Sequence, residues 1–171
     1  MKYSTKQLVA GGLMAALVVV GTMLIQIPTP TKGYIHLGDS MVYLCGALLG
    51  PWVGGLAAAV GSLLADLFSG YGIYAPATFV IKGLDALIVG LVFSRFASRE
   101  TSLVKKGLGF TVAFILGGMI MAAGYLAYET FLYGFGVAVL GVPGNILQAA
   151  GGGIIALLLL LTINYKYRQN L

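Results

Sequence analysis

The sequence has 171 residues, of which 59% are hydrophobic and only 9% charged. A soluble domain carries roughly a quarter of its residues charged, so this composition requires lipid around the chain and excludes an ordinary soluble enzyme. The net charge of +5 does not make a nucleic-acid binder, because the lysines and arginines fall between apolar runs instead of forming one basic stripe with aromatics.

Lys2 and Lys6 precede an apolar run over 8–27. It is too long for a signal-peptide core and lacks a clear small-x-small cleavage site, so it is expected to be the first spanning helix. Further runs follow at 40–50, 52–68, 76–95, 107–128 and 142–164. Each is apolar enough to cross the hydrocarbon, the second being short. Turn-formers separate them: Pro28-Thr29-Pro30, Gly50-Pro51, Ser69-Gly70-Tyr71-Gly72, the polar stretch from Ser94 to Lys106, and Gly141-Val142-Pro143. The expected fold class is all-α, an integral membrane bundle of six transmembrane helices forming a single domain over 1–171.

Six spans place both termini on one side. With both inside, the cytoplasmic ends carry Lys2, Lys6, Arg95, Arg99, Lys105, Lys106, Lys166 and Arg168, and the external loops keep only Lys32. That asymmetry obeys the positive-inside rule, so both termini are expected to be cytoplasmic.

Charges inside a membrane cost from about 2.5 kcal/mol upward, so those that remain face the bundle or water and have partners. Asp66, Lys82, Asp85, Asn145 and Gln148 all fall within predicted helices, in the half nearer the outer side. Lys82 and Asp85 are three residues apart on one helical face, as are Asn145 and Gln148, so each pair can point inward together. Gly38-Asp39-Ser40, Pro76 and Pro143 start helices at the same side and aim positive dipole ends at that region.

Plainer roles stand beside these. Lys82 with Asp85 or Asp66 is also readable as a neutralising structural pair, and Asn145 and Gln148 as links between helices. His36 has no second histidine and no cysteine nearby, which fits a hydrogen-bonding loop residue and not a metal ligand. Tyr71, Tyr74, Tyr125, Tyr128 and Tyr133 match an interfacial belt, with one or two available to stack on a flat ring. Glu129 reads as a solvated helix end, and Cys45 as a buried inert thiol. Gly11 over Ala15 and Gly12 over Ala16 form a small-residue face that permits close helix approach. No P-loop and no His-Glu-x-x-His motif occurs, so no catalytic residue, metal or cofactor is assigned.

Together these segments resemble the substrate-binding S components of energy-coupling factor (ECF) vitamin transporters. The resemblance runs from the small face of the first helix through Gly33-Tyr34-Ile35-His36-Leu37-Gly38-Asp39 and Leu49-Gly50-Pro51-Trp52-Val53-Gly54-Gly55 to Asp66-Leu67-Phe68-Ser69-Gly70 and Ile81-Lys82-Gly83. Within the family the chain looks most like the riboflavin, hydroxymethylpyrimidine and pyridoxine group. The resemblance implies a multi-pass protein of a prokaryotic plasma membrane. It would capture a vitamin outside and work with a membrane T component and two cytoplasmic ATPases, which would hydrolyse the ATP. It assigns Gly11, Gly12, Ala15 and Ala16 to docking on the T component, in one of two registers, since the family pattern has Ala where Gly11 or Gly12 stands. It makes the loop after the first helix a lid, with Tyr34, His36 and Asp39 as lid contacts. Lys82, Asn145 and Gln148 become the leading ligand contacts, joined by Asp66, Asp85 and Tyr125. Without an Asp-rich loop of the riboflavin type, a small pyridine or pyrimidine ring is the expected substrate, with riboflavin the alternative. An autonomous ion-coupled carrier using Asp66, Asp85 or Lys82, and a lipid-modifying membrane enzyme, are the competing classes.

Overall fold

The computed structural model describes residues 4–29, 31, 33–98 and 101–162. The first helix, α1 (Thr5–Met23), opens with a reciprocal cap: the Gln7 N–H donates to Ser4 Oγ at 3.2 Å and the Ser4 N–H to Gln7 Oε1 at 2.9 Å. The predicted run continues to residue 27, but the helix stops at Met23. Pro28 disfavours helical geometry before it, and the chain turns instead into a short antiparallel hairpin of β1 (Gln26–Pro28) and β2 (Tyr34–His36). Gln26 faces His36, Ile27 faces Ile35 and Pro28 faces Tyr34. The expected lid loop is therefore a β-ribbon.

Helix α2 (Asp39–Leu49) is eleven residues long, about 16 Å, and reaches only part way through the hydrocarbon. Gly50 ends it at φ 78°, and Pro51 starts α3 (Pro51–Phe68) at once. After a turn through Gly70 at φ 82°, α4 (Ala75–Phe93) carries Pro76 in its first turn. Helix α5 (Leu103–Tyr133), capped by Ser102, has 31 residues and extends the predicted run 107–128 at both ends. It ends at Gly134 with φ 83°. A single turn, α6 (Phe135–Ala138), and a 3-10 turn then lead into α7 (Val142–Thr162).

Five of these helices are long and apolar enough to cross a membrane, and α2 is a shorter apolar helix. The chain is thus an all-α membrane bundle. Large side chains such as Leu13, Leu17, Val80 and Leu158 face outward, as lipid requires. Between helices the contacts rest on small residues, because lipid supplies no hydrophobic drive for association. A Cβ on Gly61 would lie 2.6 Å from the Ala15 carbonyl oxygen, and one on Gly90 would lie 2.6 Å from Pro51 Cα. Helix α1 therefore seats directly on α3, and the α2–α3 corner on α4. Nearer the other end an aromatic cluster fills the centre, with Phe93 edge-on to Phe110 at 5.6 Å and Tyr43 tilted against Phe114 at 5.9 Å.

Lys2, Lys32, Arg99, Lys166 and Arg168, which support the inside orientation of the termini, lie outside the described residues.

Candidate functional site

The hairpin folds over the end of the bundle where α3 finishes, α4 begins, α5 finishes and α7 begins. A cavity of about 30 Å³ lies beneath it. The hairpin contributes Thr29, Thr31, Tyr34 and His36 to its wall. Asp66 comes from α3, Thr78 from α4, Tyr125 and Glu129 from α5, and Asn145 and Gln148 from α7. At one water per about 10–15 Å³ of such space, the cavity has room for two or three waters. A ring-sized ligand therefore needs the hairpin or the tyrosines to shift outward.

Gln148 joins the roof to the floor. Its Oε1 accepts the His36 backbone N–H at 2.9 Å, and its Nε2 donates to Asp39 Oδ2 at 3.0 Å. Beneath it, Asp39 is ion-paired with Lys82, and both side chains are fully buried. Lys82 Nζ also donates to Met121 Sδ at 2.7 Å and stands 5.7 Å from the centre of the Tyr125 ring. The sequence raised Asp85 or Asp66 as the partner of Lys82; the partner is Asp39, 43 residues away on α2. Neither Lys82 nor Asp39 lines the cavity, so the pair supports its floor from behind.

The other expected residues divide in the same way. Tyr34 donates to Asp66 Oδ1 at 2.6 Å, and Thr78 shares a hydrogen bond of 3.0 Å with the Tyr125 hydroxyl. Burial, then the adjacent Asp66 charge, pushes the Tyr34 hydroxyl up, so it stays a donor. His36 Nδ1 accepts from the Gly38 N–H at 3.0 Å, which leaves the proton of the neutral ring on Nε2. Burial lowers its pKa to about 4, helped by Lys82 and opposed by Asp39, so the ring is neutral near pH 7. Asp85 faces away from the cavity and packs against Gly117 on α5. It is fully buried, and neither carboxylate oxygen has a partner among the described residues.

Glu129 corrects the expectation of a solvated end. Because α5 runs on to Tyr133, Glu129 sits within the helix, only 4% exposed, and accepts from the Tyr74 hydroxyl at 3.2 Å. Tyr74 is equally buried and shares its one hydroxyl proton between Glu129 and the nearer Thr31 carbonyl at 2.5 Å, so it ties the hairpin to the bundle instead of marking an interface. Thr29, Thr31 and Thr78 were not singled out by sequence. A threonine, whether in a turn like Thr29 and Thr31 or in an apolar run like Thr78, gives no signal until its neighbours are known.

On α1 the two small-residue registers separate. Gly11 is buried, with a Cβ there 3.3 Å from Val53 Cγ1, and Ala15 lies against Gly61. Gly12 and Ala16 are exposed, and a Cβ on Gly12 would meet nothing within 4 Å.

A family model described as ECF-type riboflavin transporter, S component, matches residues 2–165. A Pyrococcus woesei protein described as an uncharacterized protein in gap 3'region is 43% identical over 139 residues, 81% of this chain and 88% of that one. A UPF0397 protein of Streptococcus pneumoniae (strain Hungary19A-6) is 40% identical over 92 residues, 53% of this chain. The match spans 49% of that relative, about half its length. Among solved structures, the S component of a bacterial ECF transporter aligns with a TM-score of 0.68 at 21% identity, covering 91% of this chain and 93% of the other. FolT bound with folic acid aligns with a TM-score of 0.63 at 21% identity, covering 99% and 95%. At that identity the two structures speak for the fold alone.

Proposed function

Because the chain belongs to the ECF-type riboflavin transporter S component family, we propose that its hairpin-covered cavity captures a small B-type vitamin or vitamin precursor outside the cell for an ATP-driven importer. The observation that carries this is the cavity itself. It lies at one end of a membrane bundle, is walled by polar side chains from four helices, and is roofed by the α1–α2 hairpin. The ligand is a single pyridine or pyrimidine ring of the pyridoxine or hydroxymethylpyrimidine kind, which asks less displacement of the hairpin than the three fused rings of riboflavin. Asn145, Gln148, Tyr34, His36, Asp66 and Tyr125 touch it, while Lys82, Asp39 and Asp85 act from behind the wall. Both termini face the cytoplasm, the cavity opens outward, and the exposed Gly12 and Ala16 meet the T component, with two ATPase subunits supplying the energy.

The mass and absorbance spectrum of what copurifies with the detergent-solubilised chain tests the substrate. Uptake by reconstituted vesicles tests the class: it should require the T component, both ATPases and ATP. Asp85, buried without a hydrogen-bond partner among the described residues, is the observation favouring a proton-coupled carrier instead. Uptake driven by a proton gradient in vesicles containing this chain alone would establish that reading and remove the first.

A further inference from the structure

The charge on the cavity wall narrows the ligand beyond its size. Asp66 and Glu129 reach this wall from α3 and α5, and each is only 4% exposed. One oxygen of each carboxylate has a hydroxyl in reach: Tyr34 donates to Asp66 Oδ1 at 2.6 Å, and the Tyr74 hydroxyl, whose one proton also reaches the Thr31 carbonyl, stands 3.2 Å from Glu129 Oε1. The second oxygen of each, Asp66 Oδ2 and Glu129 Oε2, is buried and makes no hydrogen bond of good geometry among the described residues, although the Thr78 and Thr31 hydroxyls stand close to the two carboxyls. Glycine at 141 keeps the approach to Glu129 open, since a Cβ there would lie 2.7 Å from Oε2.

No lysine or arginine among the described residues lines the cavity. The nearest buried cation, Lys82, is committed to Asp39 behind the floor. Among the described residues the wall therefore offers two carboxyl oxygens that no donor meets at good hydrogen-bond geometry, and no positive charge for an anion. A buried acceptor left unpaired costs about 1–3 kcal/mol, more if charged, and a ligand that brings N–H donors removes that cost. A ligand carboxylate or phosphate would instead meet two carboxyl oxygens and no described cation in a poorly screened space. Tyr34, Tyr74 and Tyr125 add aromatic surface, which attracts both flat rings and cations.

We propose that this cavity selects a flat nitrogen heterocycle carrying an exocyclic amino group or a fixed positive charge, and that Asp66 and Glu129 select it against anionic vitamins. The proposal rests on the vitamin-capture reading and narrows its substrate class. Both carboxylates contact the ligand directly, each through the oxygen that Tyr34 or Tyr74 leaves free.

The test is calorimetric binding to the detergent-purified full chain at pH 7. The probes are thiamine and 4-amino-5-hydroxymethyl-2-methylpyrimidine, which carry the amino group, the 4-hydroxy counterpart of the latter, riboflavin, and folate. Thiamine or the 4-aminopyrimidine should bind tenfold or more tighter than riboflavin, a neutral ring system without an exocyclic amino group, and than folate, whose pterin carries an amino group but whose carboxylates make it an anion; the 4-hydroxy counterpart should lose at least tenfold against its amine. Asp66→Asn and Glu129→Gln should each weaken the preferred probe tenfold or more without lowering the melting temperature of the unliganded protein. If either variant fails to fold, the amine and 4-hydroxy pair measured on the unmodified chain decides the matter. Preference for riboflavin or folate would overturn the proposal while leaving vitamin capture standing, as would folded variants that bind normally. Binding of none of the probes would also overturn it, and partner- and ATP-dependent uptake from a mixed vitamin pool would judge the capture reading separately.

Discussion

Removing one member of the Lys82–Asp39 pair is the sharpest test of how the site is built. Both side chains are fully buried, and Asp39 has only Lys82 and Gln148 as hydrogen-bond donors among the described side chains. Lys82→Met keeps most of the volume and leaves the Asp39 charge without a cation. Breaking a buried pair from one side costs about 3–5 kcal/mol, because the surviving charge stays desolvated. At about 2–4 °C per kcal/mol for a chain of this size, the melting temperature should fall by about 6–20 °C. Asp39→Asn should cost a similar amount by stranding the ammonium beside Met121 and Tyr125. The double variant Lys82→Met with Asp39→Asn keeps the Gln148 acceptor and removes both charges, so it should recover most of the loss. Thermal unfolding of the three variants in one detergent measures this, and the coupling between them isolates the pair. Single variants each costing under about 1 kcal/mol, or a double variant as unstable as the sum of its parts, would refute the assignment of Lys82 as a support behind the wall.

Three further outcomes follow from the same geometry. Cysteines introduced near Lys2 and Arg168 should resist an impermeant thiol reagent in intact cells while one replacing Lys32 labels; labelling of either terminus would reverse the orientation. Gly12→Leu with Ala16→Leu should leave folding and ligand affinity nearly unchanged and abolish copurification of the T component, whereas Gly11→Leu should destabilise the chain itself, because Val53 Cγ1 lies 3.3 Å from its Cβ position. Since burial lowers the His36 pKa from 6.5 to about 4, the folded state prefers the neutral ring. This contribution to stability is complete above about pH 6.5 and is lost as the pH falls toward 4; His36→Gln should flatten the melting-temperature profile across that window, and an unchanged profile would remove His36 as its source.

Much of the bundle was legible because hydropathy, proline and glycine mark helices and their ends. The Gly50-Pro51 break between α2 and α3 stands where the sequence put it. The site was legible only within single helices. Spacing placed Asn145 beside Gln148, and both line the cavity. The same logic offered Asp85 to Lys82 because they are three residues apart, yet the carboxylate that reaches Lys82 belongs to α2. Such a pairing depends on how α2 and α4 pack, which no local pattern encodes. Glu129 was misjudged for a related reason: the tyrosine-rich end of α5 reads as interface until Tyr74 and Thr31 are seen closing over it.

The shortness of the chain between hairpin and core has a mechanical consequence. Only Leu37 and Gly38 separate His36, the last residue of β2, from Asp39, the first of α2. The strand has almost no slack, and its backbone is clamped to Gln148, which also holds Asp39. Lifting β2 thus pulls on the ammonium of Lys82 through three links in series, so the roof behaves as a lever whose fulcrum is a buried charge. Opening of the hairpin is thereby coupled to the interior of the bundle at α4.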